Sequence, residues 1–179
     1  MHSHQRLTCT AVCCLLCAAF LVTGCGVQVS DEIQAMRKRW LAESPPAGEM
    51  PISEIRSKLA DGDMEVGSAV VVRARVNAGA VDPWTSGQAA FIITDAIGHD
   101  GSEDPDHDPH ECPFCRRDVR NSMAVLRFVE GNGKVVSVDA RQLFDISSGE
   151  LLVAEGTVSQ SDADGLTIDV NQMHVVRRM

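Results

Sequence analysis

The chain has 179 residues, 44% of them hydrophobic, enough for one domain with an ordinary core plus appendages and too apolar for a disordered tail. With 16 basic against 25 acidic residues and a net charge of −9, it lacks the cationic surface needed to bind nucleic acid or dock on anionic lipid. Seven cysteines divide sharply: Cys9, Cys13, Cys14, Cys17 and Cys25 fall in the first 25 residues, leaving Cys112 and Cys115 for the body.

Residues 1 to 6 carry Arg6 and no acid, and Leu7 to Val22 is an apolar run of sixteen, too short for a spanning helix. We read residues 1–24 as a signal peptide, in which the four early cysteines act as small apolar residues. Val22-Thr23-Gly24-Cys25 resembles the lipobox of bacterial lipoproteins, with Val22 where leucine is commoner. That resemblance implies that Cys25 becomes the lipidated first residue of the mature chain. Gly26, rather than aspartate, then implies the outer membrane, at its periplasmic face, over the inner one. Acyl chains contribute about 0.8 kcal/mol per buried methylene, so they would anchor a body that need not itself bind membrane. A cleaved secretory signal or an uncleaved anchor is the competing reading. Losing residues 1–24 removes Arg6 and no acid, leaving 15 basic against 25 acidic residues, a net charge of −10.

Residues 25–65 are expected to hold the lipidated terminus, helical segments and a linker. Ser30 can cap a helix whose first turn carries Asp31 and Glu32 and whose Ile33, Met36 and Trp40 recur at helical spacing, ending near Glu43. Ser44-Pro45-Pro46-Ala47-Gly48 reads as a linker, and Arg37-Lys38-Arg39 as a solvated basic face. A second helix is expected from Ile52 to Leu59, with Ser53 near its start, stopped by Asp61-Gly62-Asp63. From Gly67 the period changes to strands, at Ala69–Val76 and Ala89–Thr94, followed by a long polar insertion over residues 96–118. A strand at Met123–Val129 turns through Glu130-Gly131-Asn132-Gly133 to a partner at Lys134–Val138. A short helix at Ala140–Phe144 precedes a last hairpin of Leu151–Val158 and Leu166–Val176.

This order resembles the OB-fold, a five-stranded Greek-key barrel with a helix between its third and fourth strands. Val70-Val71-Val72-Arg73-Ala74-Arg75-Val76, Ala90-Phe91-Ile92-Ile93-Thr94-Asp95 and Glu155-Gly156-Thr157-Val158 carry the likeness, over residues 66–177. The expected class is therefore mainly β, an OB-like barrel preceded by one or two N-terminal helices. Phe91, Phe128 and Phe144 read as core rather than as a base-stacking platform.

The insertion carries the chain's one chemical motif, His107-Asp108-Pro109-His110-Glu111-Cys112-Pro113-Phe114-Cys115. The Cys-Pro-Phe-Cys spacing is that of zinc and rubredoxin-like knuckles, although Arg116 stands where such a knuckle usually has glycine. Imidazole and thiolate donors suit a tetrahedral Zn2+ or a soft copper ion, and the candidate metal ligands are His107, His110, Cys112 and Cys115. Four ligands within nine residues form a cramped chelate, so His99, Asp106 or water is an alternative to one histidine. Asp104, Asp106, Asp108 and Glu111 read either as a field that draws in a cation or as a solvated loop face.

Two further readings stand beside the metal. An oxidising envelope favours a disulfide between Cys112 and Cys115, with His110, Arg116 and Arg117 favouring the thiolate in a thiol–disulfide protein or sensor. The second is a non-catalytic adaptor. Haem attachment is disfavoured because Arg116 replaces the histidine that would follow. No Ser-His-Asp order or phosphate-binding glycine loop is evident, His174 reads as a structural or surface residue, and an enzyme is the less favoured class.

Overall fold

A computed structural model describes residues 30–95, 110–113, 116, 119–162 and 165–176. Its centre is a closed five-stranded β-barrel, with one extra two-residue strand and a few short helices. In chain order these are α1 (Asp31–Trp40), β1 (Glu49–Met50), α2 (Ile52–Asp61), β2 (Ala69–Val76), β3 (Ala90–Asp95), a 3-10 turn (Val119–Ser122), β4 (Met123–Arg127), α3 (Ala140–Phe144), β5 (Leu151–Asp162) and β6 (Gly165–Val176).

Alternation along β2 sets the barrel wall. Val70, Val72, Ala74 and Val76 are buried, while Val71, Arg73 and Arg75 are half-buried on the outer face. β2 pairs antiparallel with β3, β3 antiparallel with β4, β4 parallel with β6, β6 antiparallel with β5, and β5 antiparallel with β2, closing the ring. β3 reaches only Ala74 to Val76 of β2, and β1 pairs in parallel with Val71 and Val72 on the part it leaves uncovered. An otherwise open strand edge is thereby protected.

β5 and β6 are twelve residues each and curl through register shifts at Glu155/Gly156 and Val158/Gln160. Gly156 is required at the first shift, since a Cβ there would lie 2.5 Å from the Asp169 carbonyl oxygen. Aromatic rings pack together in the core. Phe128 has its ring centroid 4.3 Å from that of Phe144, 6.0 Å from that of Phe91 and 5.9 Å, edge-on, from that of Trp40. All four are buried, so the three phenylalanines belong to the core, as their positions in the sequence predict.

Several boundaries differ from expectation, each because a tertiary partner competes with local pattern. α1 stops at Trp40 rather than Glu43: Leu41 bridges to Met173 and the Ala42 N–H donates to the Met173 carbonyl, drawing the chain onto β6. Arg37 is not merely solvated, because its guanidinium donates to the carbonyls of Leu143 and Gln142 in α3. α2 runs two residues beyond Leu59, until Gly62 at φ 79° closes it with an N–H bond to the Lys58 carbonyl. The expected strand Lys134–Val138 shrinks to one bridge, Val129 to Val135. Val136 donates to the Phe128 carbonyl and accepts from the Ala89 N–H, after which Asp139 already caps α3. Arg141, with nitrogens 2.7 and 2.8 Å from the Asp139 carboxylate oxygens, pulls that carboxyl down to about 2.

The start of α2 has a cap that no local motif announces. Pro51 occupies the N-cap position and offers no side-chain acceptor. Asp95, at the end of β3, supplies one instead: its carboxylate accepts from the Ile52 N–H at 2.6 Å and from the Ser53 N–H and hydroxyl at 3.2 and 3.1 Å. Asp95 is buried, and desolvation holds its carboxyl above the ordinary value against the pull of those donors.

Candidate functional site

Thr94 marks where the insertion meets the barrel. It alternates along β3 with Phe91, Ile93 and their core-facing neighbours, and so belongs to the outer face, yet it is fully buried. A partner from the insertion accounts for part of that burial: His110 Nε2 lies 3.1 Å from the Thr94 hydroxyl. The same hydroxyl lies 2.8 Å from the Asn77 carbonyl oxygen, just past the end of β2.

The imidazole also rests on Gly79, in the turn that follows β2. Gly79 has φ +68°, and a Cβ built there would fall 2.6 Å from Nδ1, 3.0 Å from Cγ and 3.2 Å from Cε1 of His110. Nearly equal distances to Nδ1 and both its ring neighbours put that point over the face of the ring rather than in its plane. Gly79 therefore serves twice, by adopting a left-handed turn conformation and by letting the ring approach the backbone. Its N–H is held by the Asn77 side-chain oxygen at 2.8 Å, an Asx turn that fixes the platform.

Two residues on, Cys112 is half-buried, and its carbonyl accepts from the Arg116 N–H at 3.0 Å. Glu111 and Arg116 are exposed. Of the four candidate ligands, His110 is seated at the end of β2 and the outer side of β3 and Cys112 is half-buried, whereas His107 and Cys115 lie outside the described residues. So do His99, Asp104, Asp106, Asp108, Arg117 and Cys25. Among the described residues, no group of three or more His, Cys, Asp or Glu side chains is close enough to hold a metal ion.

No protein-family model and no curated protein matches this chain. Function has to be argued from the site itself.

Three residues that shape the site are not candidates in the sequence: Asn77, Gly79 and Thr94. Asn77-Ala78-Gly79 reads there only as a turn, and Thr94 only as a strand residue. Their contacts with His110 join residues 16 and more positions apart, separations that no periodicity reports. His174 has a structural partner, with Nδ1 3.0 Å from the Ala42 carbonyl oxygen. Among the described residues, no helix is long and apolar enough to cross a membrane.

Proposed function

We propose that this chain is a lipid-anchored cell-envelope protein of bacteria whose barrel carries a metal-binding loop, with Zn2+ held by His107, His110, Cys112 and Cys115 for structure or metal handling. The observation that carries the reading is the seating of His110. One ring nitrogen is engaged by a buried hydroxyl and the ring face rests on Gly79. Metal-binding histidines are characteristically oriented in this way, by a hydrogen bond through the nitrogen that does not bind the ion. Half-buried Cys112 follows two residues later, and its carbonyl accepts from the Arg116 N–H. Neutral imidazole and thiolate together suit Zn2+, and copper is the alternative ion.

An OB-type barrel is part of the same proposal. Its support is the pairing order, in which the third barrel strand, β4, runs parallel to the fifth, β6, and α3 lies between the third and fourth. OB barrels commonly bind ligands on the face of their second and third strands and at the loop joining the first two. On this chain those places correspond to the outer side of β3 and the Asn77–Gly79 turn, the surface that His110 covers. The insertion would then replace a ligand groove with a metal site. The anchor rests on the lipobox likeness at Val22 to Cys25, and the acidic balance keeps nucleic acid out of the reading.

The test is metal content. Protein purified without added metal should carry close to one equivalent of zinc by elemental analysis, and the Cys112→Ser/Cys115→Ser variant should carry none. Metal-free protein with both thiols joined in a disulfide would favour the redox alternative instead. Mass spectrometry of the membrane-extracted chain tests the anchor: acyl groups should appear on Cys25 and disappear in Cys25→Ala.

A further inference from the structure

We infer that Asn132 is a site of spontaneous covalent modification, where the side-chain amide cyclises with the Gly133 nitrogen, loses ammonia and opens to aspartate or isoaspartate. The chemistry is independent of any bound ion. Asn132 and Gly133 are exposed in the turn whose flanks meet at the Val129 to Val135 bridge. Gly133 has φ +78° and no side chain to shield its nitrogen, and a Cβ built on it or on Gly131 would meet nothing within 4 Å. Water and hydroxide therefore reach the attacking nitrogen. The Lys134 N–H donates to Asn132 Oδ1 at 2.9 Å, so the carbonyl under attack is already polarised, and the same donor meets the negative charge that develops on that oxygen. The Gly133 N–H itself donates to the Glu130 carbonyl at 2.9 Å, and this bond has to open before the nitrogen can turn toward Cγ. It is one backbone bond in an exposed turn with glycine at two of its four positions, the kind that opens locally at small free-energy cost.

The steps need water and no oxidant or reductant. The Gly133 nitrogen gives its proton to hydroxide and bonds to Cγ; the Cγ–Nδ2 bond then breaks, and Nδ2 takes a proton from water and leaves as ammonia. Water opens the resulting five-membered imide at one of its two carbonyls. Cleavage between nitrogen and Cγ gives aspartate, and cleavage between nitrogen and the main-chain carbonyl carbon gives isoaspartate. Either product alters the turn. Aspartate puts a carboxylate where Nδ2 donates to Glu130 Oε2, and isoaspartate adds a methylene to the chain between Val129 and Val135. The other three asparagines, Asn77, Asn121 and Asn171, are followed by Ala78, Ser122 and Gln172. Asn77 is the closest comparison. Its Oδ1 accepts from the N–H two residues on, that of Gly79, at 2.8 Å, as Asn132 does from Lys134, but the nitrogen that would attack belongs to buried Ala78.

The experiment keeps folded full-length protein at mildly alkaline pH for weeks and follows it by peptide mapping, with electron-transfer fragmentation to separate aspartate from isoaspartate. The peptide holding Asn132 should gain the mass difference between an amide and a carboxyl group, with both products present and a rate that rises with pH as the Gly133 N–H ionises. Asn77, Asn121 and Asn171 should remain amides over the time in which half of Asn132 is converted. Gly133→Ala should slow the conversion, and Asn132→Gln should abolish the acidic species. An Asn132 that stays an amide in the folded protein would overturn the inference, whether or not the same chain unfolded in guanidinium chloride converts there. Equal conversion at Asn77, or acidic species that persist in Asn132→Gln, would overturn it as well. Should Gly133→Ala not fold, the ratio of conversion at Asn132 to that at Asn77 in wild-type protein decides the question.

Discussion

Replacing Asp95 by alanine tests whether a strand residue holds the start of a helix 43 positions earlier. The substitution strips the acceptor from the Ile52 N–H, which is bonded at 2.6 Å in a fully buried residue, and from the N–H and hydroxyl of Ser53. Ser53 is exposed, so water replaces its lost bonds, but the Ile52 donor has no such recourse. Loss of a helix cap costs about 0.5–2 kcal/mol, and a buried unsatisfied donor about 1–3 kcal/mol. These overlap at Ile52, and relief of a desolvated carboxylate offsets part of them, so the net loss should be about 2–3 kcal/mol. At about 2–4 °C per kcal/mol for a chain of this size, the melting temperature should fall by roughly 5–10 °C. Asp95→Asn keeps an acceptor for Ile52 and should cost no more than about 1 kcal/mol.

The same residue gives a pH signature. Burial raises the folded-state value of Asp95 above 3.8, so the folded chain binds this proton more tightly than the unfolded chain. The group's contribution is fully present below the unfolded value and declines as pH rises through the folded one. Asp95→Asn should remove that decline. Urea and thermal denaturation followed by circular dichroism, from pH 3.5 to pH 7, measure all of this. An Asp95→Ala protein within about 0.5 kcal/mol of wild type, where surface substitutions fall, would refute the capping argument.

Other substitutions test the barrel and the seat of the cluster. Gly79→Ala imposes a side chain at φ +68° against the His110 ring; it should cost about 1–3 kcal/mol and also abolish metal binding by displacing the ligand, as calorimetric titration would show. Gly156→Ala drives a methyl group to 2.5 Å from the Asp169 carbonyl and should destabilise the β5–β6 ladder by about 1–3 kcal/mol, with no direct effect on metal affinity. Asp139→Ala removes the cap of α3 at about 1 kcal/mol. Because Arg141 depresses the Asp139 carboxyl to about 2, its contribution is present above 3.8 and is lost as pH falls toward 2, a slope the variant should lack in acid denaturation.

How far the sequence discloses this molecule depends on whether the deciding interaction is local. The alternation of Val70, Val72, Ala74 and Val76 specifies β2 to the residue, because one buried face imposes a period of two. Ala140–Phe144 is equally legible, with Asp139 as its cap in the chain itself. The exit of α1 at Trp40 is not, because helical periodicity continues past a point where β6 offers backbone partners to Leu41 and Ala42. Asp95 reads as a strand terminus, and its role as a cap exists only once β3 and α2 have been brought together.

The site divides along the same line. His110 and Cys112 announce themselves by residue type and spacing, since imidazole and thiolate so close together are unusual as loop filler. Thr94 and Asn77 are common residues in common places. They matter because His110 lies against them on the outer side of β3.

The central claim is that the His/Cys loop holds one ion with mixed nitrogen and sulfur ligation. Titrating metal-free, reduced protein with Co2+ measures this directly, because cobalt reports coordination number and thiolate ligation in its visible and near-ultraviolet absorption. We predict intense tetrahedral ligand-field bands and thiolate-to-cobalt charge transfer that saturate at one equivalent, are displaced by Zn2+ and vanish in Cys112→Ser/Cys115→Ser. Weak octahedral absorption with no sulfur charge transfer, unchanged by the double substitution, would contradict the account.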